Sequence, residues 1–228
     1  MTSSTALVDA LELTREQELL LTAALAGRAA APDAWQAWTA RTDVDALDHD
    51  SQWLLPLLYW NLHRHGVASG RLVRYRNVYV HHWYRNNVTL SRLSHGSLTV
   101  LAGGAAMAVA YYESTGARPF VDLEIVDAGS PRFPRDLDQP VFATGRRGVW
   151  HAREWLVPSP AHQLVDIIVR RERWDTRSRL LWIADAATLV NRPDCDPAQV
   201  RALARELGAL DSVMPIVEAL PARFGPHP

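Results

Sequence analysis

Two acidic residues, Asp122 and Glu124, stand two apart in the run FVDLEIV at 120–126. Alternate residues of an extended strand share a face, so both carboxylates point one way while Val121, Leu123 and Ile125 point the other. Like charges side by side on a half-buried face repel. A divalent cation offsets that repulsion. Hard carboxylate oxygens suit magnesium, which stabilises the attacking and leaving oxygens of phosphoryl transfer. An acidic pair on a strand suits an ordinary solvated face as well. Upstream, the β-rich run LTVLA at 98–102 ends in Gly103-Gly104 and leads into a small-residue helical pattern at 105–112. A glycine turn between strand and helix lets backbone N–H groups approach a phosphate, aided by the positive end of the helix. Together the two features predict Asp122 and Glu124 as ligands of Mg²⁺ and Gly103 and Gly104 as the phosphate cradle.

Further candidates lie on either side. A long amphipathic pattern at 71–93 carries His81, His82 and Arg85. If it faces the central strands, His82 and Arg85 hold a phosphate or serve in acid–base chemistry; otherwise they occupy ordinary helix-surface positions. In VWHAREW at 149–155, His151 is a substrate-binding candidate beside Glu154. The nine tryptophans chiefly build core, and a minority suits an aromatic ligand pocket. The chain has no Gly-x-Ser-x-Gly elbow, Walker loop, His-Glu-x-x-His motif or dinucleotide fingerprint.

The elements that must position these residues read as helices, then a small mixed α/β centre, then helices. Helical patterns run over 14–30, 34–42, 54–64 and 71–93, with Pro56 expected in the first turn of the third. Short strands are expected at 98–102 and 120–126, with weaker extended segments near 137–143 and 149–157. Ser159 with Pro160 opens a helical tail as N-cap and N1, followed by helices over 178–190, 196–207 and 211–220. The expected fold class is α+β in one domain: N-terminal helices at 1–96, the α/β core at 97–157 and C-terminal helices at 158–228.

Composition narrows the chemistry. All 24 residues counted as Lys plus Arg are arginine, which removes mechanisms that need a Schiff-base or phosphate-clamping lysine. A formal net charge of −1 argues against coating nucleic acid or an acidic membrane. The single Cys195 cannot close an internal disulfide or supply a cysteine zinc site. With no secretory leader pattern and no apolar run of about 20 residues, a cytoplasmic location is expected.

The order Ala102-Gly103-Gly104, helix, Asp122-Leu123-Glu124-Ile125 resembles the signature of the DNA-polymerase-beta-type nucleotidyltransferase superfamily. More closely, LLPLLYWNL, LAGGAAMAVAYYESTGARPFVDLEIV, VPSPAHQLV and SRLLWIADAATLV resemble the bacterial "nucleotidyltransferase family" proteins common in actinobacteria and their biosynthetic gene clusters. The resemblance implies a nucleotidyltransferase-like core, Mg²⁺ on Asp122 and Glu124, and Asp136 as a third catalytic carboxylate. Ala102 stands where that family carries a lysine, and Glu124 where it usually carries aspartate. Three functions follow as expectations. One is Mg²⁺-dependent nucleotidyl transfer from an NTP to a small molecule or peptide. Another is a metal-independent cyclisation or condensation in natural-product biosynthesis on an inherited scaffold. The third is a non-catalytic binding partner.

Overall fold

Thr14 opens the first helix, α1 (Arg15–Leu25), through a reciprocal cap. Its hydroxyl accepts from the Gln17 backbone N–H at 3.2 Å, and the Gln17 side chain accepts from the Thr14 N–H at 3.2 Å. A computed structural model of the chain describes residues 11, 13–92, 99–120, 124–126, 146–150, 153–170 and 178–224. Helix α2 (Ala31–Thr39) follows, and α3 (His49–Arg64) begins earlier than its apolar run suggests. Asp48 caps it by accepting from the Ser51 N–H at 2.8 Å. Pro56 therefore lies well inside α3 rather than in its first turn, and the Gln52 carbonyl loses its usual intrahelical donor. Helix α4 (Leu72–Ser91) completes the N-terminal group.

Strand β1 (Thr99–Ala102) runs directly into a short helix, α5 (Gly103–Ala106), and a π-turn at Met107–Tyr111. Strands β2 (Glu124–Val126), β3 (Arg146–Trp150) and β4 (Arg153–Val157) come next. The strands lie in the order β2-β1-β4-β3, with β1 antiparallel to β2 and parallel to β4. The C-terminal helices are α6 (Pro160–Val169), α7 (Arg179–Val190), α8 (Pro197–Glu206) and α9 (Leu210–Phe224). Ser159 caps α6 and Ser178 caps α7, each by accepting a backbone N–H.

The expected α+β class, a chain organised around a small mixed-sheet nucleotidyltransferase-like core, is overturned. Most described residues are helical, and the principal core is made by helices together with the segment at 107–117. Leu20 and Leu21 of α1, Leu54 and Leu58 of α3, Leu164 of α6 and Ile183 of α7 are fully buried in it. Burying each such side chain contributes about 1.5–3 kcal/mol, so the fold's stability resides mainly there. The strands, three to five residues long, supply Leu101, Trp155 and Val157 to a second, smaller cluster with Leu90 and Phe120. Pattern reading gave the strands central weight because their sequence is conspicuous. The apolar stripes of the helices bury far more.

The segment between the π-turn and β2 is fastened to α4. Asn86, fully buried, donates from Nδ2 to the carbonyls of Thr115 at 2.6 Å and Arg118 at 2.9 Å. Gly116 lies so close to α4 that a Cβ there would meet Trp83 and Tyr79 at 2.7 Å. No helix among the described residues is long and apolar enough to cross a membrane.

Candidate functional site

The sequence-derived candidates are only partly brought together. Asp122, Asp136 and His151 lie outside the described residues. Glu124 pairs through its backbone with Ala102, so the acidic strand abuts the residue before the glycine turn. Gly103 has φ +57°, a left-handed geometry that suits glycine, and its carbonyl accepts from Gln163 Nε2 at 3.4 Å. Gly104 does not fit the part of phosphate cradle. It is buried, and a Cβ on it would meet Phe120 Cβ at 3.1 Å and Arg118 Nη1 at 3.3 Å. Its missing side chain admits those two residues, so its role there is close packing. Among the described residues, no three of His, Cys, Asp and Glu gather as a metal site would.

His82 sits on α4 with its ring 6.0 Å from Trp53 and 5.2 Å from His81. Burial, then the charges of His81 and Arg85, lower its pKa from 6.5 to about 4. It is therefore neutral near pH 7, which removes the positive charge a phosphate ligand would seek. Arg85 is exposed on the same helix.

What the fold does assemble is a polar group that sequence reading passed over. Arg118 and Asp185 are 3% and 1% exposed, and the guanidinium grips the carboxylate with Nε at 2.9 Å from both oxygens and Nη2 at 2.6 Å. Tyr112 adds its hydroxyl to Asp185 Oδ1 at 2.9 Å. Burial, then the Asp185 charge, keeps that phenol protonated well above the ordinary tyrosine range. Sequence offered one signal: Asp185 is the lone acid in the apolar run LLWIADAATLV. A carboxylate there needs a buried partner.

Tyr112 also forms part of the wall of a cleft of about 250 Å³ between α1, α3, α7, α9 and the end of the π-turn. Trp60, Tyr111 and Phe224 supply aromatic surface, while Arg64, Glu113 and Thr188 supply polar groups. Arg64 is held in place by a chain of contacts. Asn61, buried, donates to the carbonyls of Ala23 and Ala26 at 2.9 Å each. Its own oxygen accepts from Arg64 Nε at 3.0 Å, and Arg64 Nη1 reaches Glu113 at 2.8 Å. Trp60 is stacked on Tyr79 with centroids 5.8 Å apart. The result is a fixed cation beside an aromatic wall, able to hold a planar ligand that carries an anionic or carbonyl group.

No protein-family model matches this chain, and no curated protein or solved structure matches it.

Two outcomes test the site's electrostatics. Asp185→Ala strands the Arg118 charge in the interior and should cost about 3–5 kcal/mol in chemical denaturation. Replacing both partners, as Arg118→Met with Asp185→Leu, should recover most of that loss. His82 has its folded pKa below the unfolded value, so the stability it contributes is complete above pH 6.5 and declines as pH falls toward 4. The His82→Gln variant should show a shallower loss of unfolding free energy between pH 7 and pH 4 than the parent.

Proposed function

We propose that this chain handles a small molecule in the aromatic cleft and acts on it by acid–base chemistry, in a cyclisation or condensation step of bacterial specialised metabolism. The observation that carries the reading is one cleft lined by Trp60, Tyr111 and Tyr112 together with Arg64, whose guanidinium Asn61 orients. A carboxylate or carbonyl on the ligand would pair with Arg64 while its planar body lies on the aromatic rings. Glu113, 63% exposed, is the group placed to take a proton from the ligand. Tyr112, its hydroxyl committed to Asp185 and its proton retained, adds ring surface to the wall without adding charge.

Mg²⁺-dependent nucleotidyl transfer to a small molecule or peptide is the second reading. The register that sets Glu124 across from Ala102 favours it, because it brings the acidic strand to the glycine turn. Asp122 and Glu124 would hold the metal through carboxylate oxygens, and Mg²⁺ would supply charge stabilisation for the transferred phosphate. The packing of Gly104 counts against a phosphate resting on that residue.

One binding experiment separates the two. Indole-3-acetate should quench tryptophan fluorescence in a saturable way and raise the melting temperature, with Arg64→Ala and Trp60→Leu each weakening binding about tenfold or more. No saturable quenching by indole-3-acetate, or an unchanged affinity in Arg64→Ala, would remove the cleft reading. A melting shift seen only with ATP and Mg²⁺, and lost in Asp122→Ala, would establish the second reading in its place.

A further inference from the structure

A second cleft, of about 450 Å³, lies between the turn around Val44 and the start of α4. Two of the hydroxyls that line it have no hydrogen-bond partner among the described residues. Tyr75 is 1% exposed, yet its hydroxyl has no hydrogen-bond partner among the described residues. The buried Thr42 hydroxyl is in the same condition. A buried hydroxyl without a partner costs on the order of 1–3 kcal/mol, and both residues line this one cleft. Tyr75 and Thr42 share the cleft wall with Arg71 and Arg74.

The lining carries two carboxylates, Asp43 and Asp45, and two guanidiniums, Arg71 and Arg74, which are unevenly paired. Arg74 is tied to Asp45 at 3.1 Å, and the Asp43 carboxylate accepts the Asp45 backbone N–H at 3.0 Å. Arg71 donates only to a neutral acceptor, the Thr39 carbonyl at 3.2 Å, and meets no carboxylate among the described residues. Arg71 also stands at the N-terminus of the 20-residue α4, which has no side-chain cap and no acidic residue in its first turn. The positive end of the helix dipole therefore adds to the arginine charge.

We propose that this cleft binds the phosphate group of a small phosphorylated molecule. Arg71 supplies the charge, the Tyr75 and Thr42 hydroxyls donate to phosphate oxygens, and the start of α4 adds its dipole. The cleft has room beyond a bare phosphate, which makes a phosphate ester the matching ligand.

Calorimetry and thermal melting with glycerol 3-phosphate, and separately with inorganic phosphate, test this at ionic strength held constant with chloride. The ester should bind at one site and, at about ten times its Kd, raise the melting temperature by about 4 °C. Arg71→Ala changes an exposed side chain and should lose that response while melting near the parent temperature without ligand. Tyr75→Phe deletes the unpartnered hydroxyl, so it should melt no lower than the parent yet bind the ester at least fivefold more weakly. The site is refuted by no response to either compound, or by equal responses in the parent and both variants. Binding of inorganic phosphate as tight as that of the ester overturns the assignment of an ester. Indole-3-acetate binding at the aromatic cleft is a separate measurement, and neither result decides the other.

Discussion

The buried pairing of Arg118 with Asp185 is the constraint on which the arrangement of the two halves of the chain depends. Arg118 belongs to the segment that leads into β2, and Asp185 is in the middle of α7, deep in the helical core. Neither charge can be released into water without opening the interior, and neither can remain there alone. Three short hydrogen bonds therefore fix where the strand-bearing segment meets the helices. Tyr112 joins the same carboxylate, which ties one wall of the aromatic cleft to this anchor.

Around that anchor, small residues and buried amides determine how closely elements approach. Gly104 admits Phe120 and Arg118 against the start of α5, and Gly116 admits Trp83 and Tyr79 of α4. Asn86 and Asn61 do the complementary work, each satisfying two backbone carbonyls that lie outside regular helix bonding across the interface. Asn61 in addition orients Arg64. The charged group in the cleft is thus positioned by a residue whose main contacts are with α1 and the residue that ends it, rather than with any ligand.

Helix ends with a chemical punctuation mark were legible in the sequence. Ser159 caps its helix at the position its residue type announces, and the helical patterns expected from 14 and 178 begin one residue later, with Thr14 and Ser178 as caps. The start of α3 was less legible, because its cap, Asp48, lies before the apolar run that marks the helix. Fold class was misjudged for a related reason. A short strand rich in Val, Ile and Leu is easy to recognise, whereas the sum of many helix faces packing together is a property of the whole chain. Residues that act through distant partners were the least legible. Arg118 and Asp185 are 67 positions apart, and only the oddity of an acid within an apolar helix hinted at the pair. The spacing along α4 offers His82 for phosphate binding or acid–base work, whereas its lowered pKa follows from burial, and its neighbour Trp53 is one that helical spacing does not reveal.

The π-turn at Met107–Tyr111 has a consequence for inheritance as well as for shape. Its i→i+5 bond, Tyr112 N–H to the Met107 carbonyl at 3.1 Å, accommodates one residue more than an α-turn would. That surplus residue separates the duties of two adjacent tyrosines, since Tyr111 reaches the Pro158 carbonyl and Tyr112 reaches Asp185. Loss of a single codon here would restore an ordinary helical turn, leaving the chain beyond it nearly in phase but with one residue too few to fill both tyrosine positions. The cleft wall is accordingly sensitive to reading-frame-preserving deletions in a way that its individual side chains, exchanged one at a time, are not.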